Sequence, residues 1–136
     1  MLSTRSRGCE FPTQPTPTVI GALICVHRAL GPGLLESAYE ACVCRELEFD
    51  GLSFERQVPV PLVYRGRDVG NAYRMDILVN GQILIEVKAV DALLPIHSAQ
   101  VITYLKLARV PVGLLVNFNV PSLRQGIRRL YLPPPF

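Results

Sequence analysis

The chain has 136 residues, which is the size of one domain, and 49% of them are hydrophobic while 18% are charged. This balance excludes a disordered chain. No run approaches the roughly 18 apolar residues of a membrane span, and none forms an N-terminal signal region. We therefore expect a cytoplasmic protein without a membrane partner. The formal net charge of +3 permits a nucleic-acid partner but does not require one.

The N-terminal half is predicted to be a tail followed by two helices. Residues 1–17 are rich in Ser, Thr, Arg and Pro and show no periodicity, so we expect a flexible tail before a single domain over residues 18–136. A first helix, with Thr18 as its cap, is expected over residues 18–30. Gly31-Pro32-Gly33 interrupts the helical pattern, and a second helix is expected over residues 34–49.

The middle of the chain changes to the alternating pattern of strands. Residues 54–64 alternate but contain Pro59 and Pro61, which remove ladder donors and favour an edge strand. Residues 72–79 and 83–90 are predicted to form a hairpin around Asn80-Gly81.

The C-terminal third returns to a helix and then to strands. Pro95 is suited to open a helix over residues 96–108. Residues 110–118 are almost wholly apolar, as expected of a buried strand reached by a crossover, and residues 127–132 are compatible with a last strand. The order α-α-β-β-β-α-β, with an optional final β, predicts an α/β fold.

The two hairpin strands carry a charged set. If their apolar residues face one core layer, Asp76 shares the other face with Glu86 and Lys88. A two-residue loop would put Asp76 on the opposite face, so we predict a bulged three-residue loop, Val79-Asn80-Gly81, with Gly81 left-handed. The apolar set comprises Tyr73, Met75, Ile77, Val79, Ile83, Ile85, Val87 and Ala89.

This charged set is suited to phosphodiester hydrolysis. Two neighbouring carboxylates, Asp76 and Glu86, bind a hard cation such as Mg²⁺ through oxygen, and the cation polarises a phosphoryl oxygen and acidifies a bound water. Lys88, on the same face, can position that water or stabilise the pentavalent phosphorus. The alternative is a solvated surface pair, since Glu-x-Lys is common, but the flanking apolar runs favour a central strand.

Four stretches carry a resemblance to a known family: Gly33-Leu34-Leu35-Glu36-Ser37-Ala38-Tyr39, Val26 to Gly33, Tyr73 to Asp76, and Val116 to Asn119. They resemble the GxxExxY family, a branch of the PD-(D/E)xK nuclease superfamily. The resemblance implies a mixed β-sheet flanked by helices and a Mg²⁺- or Mn²⁺-dependent nuclease acting on DNA or RNA. Asp76 and Glu86 would be metal ligands, with the Val87 carbonyl as a backbone ligand and Lys88 as the catalytic cation.

Four further residues are candidates for the site. The sequence alone allows Glu36 to be either an acidic residue favoured by the helix dipole or an extra metal ligand, and the resemblance favours the ligand. Gln100 and Tyr104 share a helix face and resemble the Gln-x-x-x-Tyr element of RecB-like nucleases, which implies that Gln100 orders the site and Tyr104 touches phosphate. His97 is a weaker candidate on the same side, and an ordinary amphipathic helix is the alternative.

The remaining polar residues favour structural roles. We interpret Tyr39 as a packing or hydrogen-bonding residue, Glu40 as solvated and His27 as structural, while Asn117 and Asn119 either line a cleft or cap a strand. The four cysteines form no C-x-x-C pair, which favours small buried thiols in a reducing compartment.

Two other functions remain open at this point. One is a non-catalytic nucleic-acid- or protein-binding module on the same fold. The other is a homodimer that pairs two sites for double-strand cleavage, which an apolar patch at the C-terminus or on the first helix would support.

Overall fold

The computed structural model describes residues 15–70 and 73–135, so residues 1–14 of the predicted tail lie outside the described residues. The first helix begins at Thr16, within the predicted tail, and the prediction of Thr18 as its cap is wrong. Pro15 occupies the N-cap position and Pro17 lies in the first turn, where a missing backbone N–H removes no helical hydrogen bond.

The elements follow the predicted order with one added hairpin. The helices are α1 (Thr16–Leu30), α2 (Glu36–Phe49) and α3 (Pro95–Ala108), with a 3₁₀ turn at Leu123–Gln125. The strands are β1 (Phe54–Pro59), β2 (Val63–Tyr64), β3 (Arg67–Asp68), β4 (Arg74–Val79), β5 (Ile83–Lys88), β6 (Val112–Asn117) and β7 (Ile127–Tyr131). Within the described residues, none of these helices has the length and apolar character needed to span a membrane.

The main sheet is mixed and has five strands in the order β1-β4-β5-β6-β7. Strands β5 and β6 are parallel and joined through α3, while the other pairs are antiparallel. Every residue of β6 is buried, which confirms the predicted crossover strand, and β7 confirms the optional last strand. The α/β fold class is therefore confirmed.

Strand β1 is an edge strand, as predicted, but it does not extend to Tyr64. It ends at Pro59, and the chain then forms the separate β2–β3 hairpin. Pro59 and Pro61 supply no backbone N–H, so a continuous ladder past Pro59 would lack donors at both positions.

Helices α1 and α2 cover one face of the sheet, and α3 covers the other. The first core layer includes Ile77, Val79, Ile83, Ile85 and Val87 from the sheet, as the alternating pattern predicts. The second layer, beneath α3, contains Leu78, Leu84, Val101, Leu105 and Leu115.

Two members of the predicted apolar set lie on the other side of the sheet. Met75 packs in the α3 layer, and the ring of Tyr73 lies 6.2 Å from that of Tyr104 on α3. The alternation therefore fails before Asp76, where β4 no longer follows the ladder with β5.

The β4–β5 loop has three residues, as predicted, but it is shifted by one position. Val79 pairs with Ile83, so the loop is Asn80-Gly81-Gln82 rather than Val79-Asn80-Gly81. Both Asn80 (φ 53°) and Gly81 (φ 67°) are left-handed. Val79 stays in the ladder because its side chain is fully buried there.

Candidate active site

The site lies where β4 and β5 separate. Their ladder ends at the pairing of Ile77 with Ile85, and side chains replace backbone partners beyond it. The Val87 N–H donates to Oδ2 of Asp76 at 2.9 Å, and the Asp76 N–H donates to Oε1 of Glu86 at 3.0 Å. These reciprocal bonds hold the two carboxylates side by side, which is the convergence that the charged pattern predicts.

The carboxyl groups of Asp76 and Glu86 form an acidic pair, and burial and mutual repulsion make this pair hard to ionise. Glu86 is only 4% exposed; burial, followed by the charge of Asp76, raises its pKa to about 8. Burial also raises the pKa of Asp76, although the hydrogen bond from Val87 opposes this shift. A divalent cation between the two carboxylates would offset both effects.

Lys88 contributes positive charge to the same site. It is half-buried, and its charge lowers the pKa values of both Asp76 and Glu86. Over residues 15–70 and 73–135, no salt bridge joins Lys88 to a carboxylate. Its ammonium group therefore acts on the acidic pair through the electrostatic field rather than as a direct ion-pair partner.

Glu40 is buried, so its interpretation as a solvated residue is wrong. It is 7% exposed, and it bonds to Nε and Nη2 of Arg56 at 3.1 Å each. The side-chain amide of Gln57 donates to both Glu40 oxygens at 3.1 Å and reaches Oδ1 of Asp76 at 3.4 Å.

Gln57 therefore links the α2 glutamate to the acidic pair, and the sequence analysis missed both residues. The spacing of four between Glu36 and Glu40, which places them on one helix face, was the available signal for Glu40. Gln57 gave no signal, because its position depends on a left-handed backbone (φ 51°) within β1.

Glu36 lies at the margin of the site. It is exposed, and its Oε2 accepts a hydrogen bond from the Ala89 N–H at 3.2 Å, just beyond Lys88. Within the described part of the chain, no three His, Cys, Asp or Glu side chains form a metal-holding group, so Glu36 does not complete one with Asp76 and Glu86. Mg²⁺ is commonly held by one or two carboxylates together with waters, so the acidic pair fits such an ion without a third.

Two of the three candidates on α3, Gln100 and Tyr104, lie on the inward side of the helix. Tyr104 is buried, and burial, followed by the charge of Glu86, raises its pKa. Gln100 and Tyr104 line one cavity. His97 instead accepts a hydrogen bond from the Leu94 N–H at 2.9 Å through Nδ1, so it caps the start of α3.

The stretch from Gly33 to Tyr39 has a structural basis. The fully buried Tyr39 hydroxyl donates to the Gly31 carbonyl and accepts from the Leu34 N–H at 3.1 Å. The Tyr39 ring stacks on Phe118 with centroids 4.4 Å apart. Tyr39 therefore ties the α1–α2 connection to the core, as its interpretation as a packing and hydrogen-bonding residue predicts.

His27 and Asn117 also hold loops in place. Nε2 of His27 lies 2.8 Å from the Val120 carbonyl, which fits a structural role. Asn117 is buried and bonds to both the N–H and the carbonyl of Val90, while Asn119 Nδ2 lies 3.4 Å from the same carbonyl. Asn117 thereby fixes the segment that follows β5.

The described cysteines are free thiols, but they are not uniformly buried as expected. Cys44 is buried, and burial raises its pKa to about 11. Cys42 is partly buried, whereas Cys25 is exposed on α1 because it lies outside the apolar stripe of that helix. Cys9 lies outside the described residues.

The mixed sheet, its helical layers and the acidic pair followed by a lysine define a nuclease-like α/β protein. A family model for the PD-(D/E)XK nuclease superfamily matches residues 13–130, and the chain belongs to that superfamily. Nucleases of this superfamily generally use divalent metal ions. Comparisons with curated proteins and with solved structures give no match.

Proposed function

We propose that this protein is a Mg²⁺- or Mn²⁺-dependent nuclease that hydrolyses phosphodiester bonds in DNA or RNA. The observation that carries the proposal is the pairing of the buried Glu86 with the half-buried Asp76, held together by reciprocal backbone bonds. Two adjacent carboxylates with little exposure to water are unfavourable without a cation, and Lys88 supplies the positive charge that hydrolysis of a phosphodiester requires.

The proposed roles follow from the position of each group. Asp76 and Glu86 hold the metal, with the Val87 carbonyl as a further ligand, whereas Glu36 stays at the margin of the site on the Ala89 N–H. When bound, the metal supplies Lewis acidity and a water of lowered pKa. Lys88 stabilises charge at the pentavalent phosphorus or orients the water, Gln100 orders the site, and Tyr104 contacts phosphate.

The Gly33–Tyr39 stretch supports membership of the GxxExxY branch of the superfamily. Its glutamate and tyrosine both make specific contacts, Glu36 with the end of β5 and Tyr39 with the α1–α2 connection.

The homodimer also remains a proposal. The exposed Leu30, Leu34 and Leu35 around that connection support it, and light scattering of the purified protein would test it.

A cleavage assay tests the proposed activity. Single- and double-stranded DNA and RNA are incubated with Mg²⁺ or Mn²⁺, and Asp76→Asn serves as the control for contaminating nuclease. Lys88→Ala should abolish cleavage and leave the circular dichroism spectrum unchanged. The matched control is Lys106→Ala on the exposed side of α3, which should cleave like the wild type. Cleavage retained by Lys88→Ala would remove this residue from the mechanism.

A non-catalytic binding module is the second candidate function. In its favour, each carboxylate of the acidic pair already accepts a backbone N–H, and the described residues contain no three-residue metal group. Metal affinity separates the two candidates, because a binding module requires no Mg²⁺ or Mn²⁺ affinity that depends on Asp76.

A further inference from the structure

A largely apolar cavity lies beside the acidic pair, between α3 and the start of β4. Its volume is about 370 Å³, within the range of roughly 300–1,000 Å³ that small-molecule sites occupy. The walls include two aromatic rings, two aliphatic side chains and two polar side chains. These are Tyr73, Tyr104, Leu62, Ile96, Gln100 and Thr103.

The cavity shares Tyr104 with the candidate active site. The buried Tyr104 ring forms part of the cavity wall and also lies within the electrostatic influence of Glu86 and Asp76. On the other wall, Tyr73 is three residues before Asp76 on extended chain, a separation of roughly 10 Å. A phosphate at the acidic pair would therefore place a neighbouring nucleotide within reach of the cavity.

The chain segments that supply Tyr73 and Leu62 to the cavity wall also carry arginines. Arg74, next to Tyr73, is exposed and donates to the Gln57 carbonyl at 3.3 Å. Arg65 and Arg67 are exposed on the β2–β3 hairpin, which is closed at Leu62 by a bond from the Val69 N–H at 2.9 Å. Exposed arginines on segments that adjoin an apolar, aromatic cavity complement a ligand with both phosphates and flat rings.

We propose that this cavity binds an unpaired nucleobase of the strand whose phosphate lies at Asp76 and Glu86. The substrate is then single-stranded, or a duplex whose end has frayed, because a paired base cannot enter a cavity beside the reacting phosphate. Tyr73, which is 50% exposed, supplies a stacking surface. The Gln100 amide offers a donor and an acceptor to the edge of the base.

This inference deepens the proposed nuclease function, and its test reads binding rather than cleavage. Fluorescence anisotropy in EDTA compares a short single-stranded DNA, its blunt duplex, and a strand of equal length in which the central nucleotides are abasic. The wild type should bind the normal strand most tightly. Equal affinity for the abasic strand, or a preference for the duplex, would overturn the proposal, because contacts to phosphate alone would then explain binding.

Three variants connect binding to the cavity. Tyr73→Ala should weaken binding of the normal strand roughly tenfold or more, and Tyr73→Phe should restore it, because a phenyl ring still stacks. Ala99→Trp, which fills the cavity from the exposed side of α3, should weaken binding similarly without removing an aromatic wall. Tyr131→Ala, an exposed tyrosine on β7, is the matched control and should bind like the wild type.

The outcomes separate this inference from the nuclease proposal. Metal-dependent cleavage with no effect of Tyr73→Ala or Ala99→Trp on binding would overturn the base-binding cavity and leave the nuclease intact. Base-dependent binding without cleavage would support the cavity and overturn the nuclease function.

Discussion

The protonation of Glu86 links the acidic pair to the stability of the metal-free protein. Its pKa is about 8 in the folded chain against an ordinary value of 4.5, so between these values the folded chain holds a proton that the unfolded chain has lost. The contribution of Glu86 to the free energy of unfolding is therefore largest below pH 4.5, and it falls as the pH rises towards 8.

We expect the melting temperature in EDTA to fall by several degrees between pH 5 and pH 8. Glu86→Gln keeps an oxygen that can accept the Asp76 N–H but cannot ionise, so it should flatten this decline. Differential scanning calorimetry across the pH range measures both proteins. An equally steep decline in Glu86→Gln would show that other groups control the pH dependence.

Gln57 provides a second prediction at the scale of single residues. Its amide lies between the Glu40 and Asp76 carboxylates, while its left-handed backbone is unfavourable for a side chain by roughly 1 kcal/mol. In Gln57→Gly the relief of this backbone strain should offset part of the cost of the lost hydrogen bonds to Glu40, so the melting temperature should change little. Mn²⁺ binding should weaken about tenfold, because Asp76 loses a group that orients it.

Arg109→Gly is the matched control for Gln57→Gly. Arg109 is also left-handed (φ 57°) but ends α3, away from the acidic pair. Isothermal titration with Mn²⁺ should show unchanged affinity in this variant. If Gln57→Gly binds Mn²⁺ as tightly as Arg109→Gly does, Gln57 has no positioning role.

At the scale of elements, alternation and turn chemistry predicted most of the sheet. The pattern placed Ile77, Ile85 and Val87 in one core layer correctly, because each strand has one face towards α1 and α2 there. It failed at Tyr73 and Met75, since alternation assumes a continuous ladder and the ladder is open at Asp76. The opening itself arises from bonds between the acidic side chains and backbone amides, which a one-dimensional pattern does not contain.

The long-range contacts of α2 were the other part that the sequence did not predict. Glu40 looked solvated because its helix position is polar, but Arg56 and Gln57 from β1 cover it. Such a pairing depends on how α2 packs on the sheet, and local propensity carries no information about that packing.

The contact between α3 and β6 gives a prediction at this scale. A side chain at Gly113 would place its Cβ 2.7 Å from Cγ1 of Val101, closer than real contacts allow. We expect Gly113→Val to destabilise the fold by roughly 1–3 kcal/mol through overpacking, as measured by urea denaturation.

Two further variants make the Gly113 prediction specific. Val101→Ala combined with Gly113→Val should recover part of the loss, because the truncated side chain leaves room for the new one. Gly21→Ala in α1, where an added Cβ meets nothing within 4 Å, should stabilise by up to about 1 kcal/mol. A double variant no more stable than Gly113→Val would contradict a steric cause.

At the scale of the whole molecule, the acidic pair lies where the sheet opens between the two core layers. Glu40 on the α2 side contributes to the raised pKa of Glu86, and the charge of Glu86 in turn raises the pKa of Tyr104 on the α3 side, so the pair interacts with groups from both layers. A ligand bound at this point would interact with both halves of the fold. Its binding free energy should therefore add to the free energy of global unfolding, and not only order the residues around the site.

Metal binding should thus stabilise the entire chain in a pH-dependent way. Saturating Mn²⁺ at about one hundred times its dissociation constant should add about 2.7 kcal/mol at pH 8. The gain should be much smaller at pH 5, because a protonated Glu86 is a poor metal ligand. Thermal unfolding with and without Mn²⁺ at the two pH values measures this. Asp76→Asn should lose the gain at pH 8, whereas Glu48→Gln, on the exposed side of α2, should keep it. The same gain in all three proteins would mean that the metal binds elsewhere.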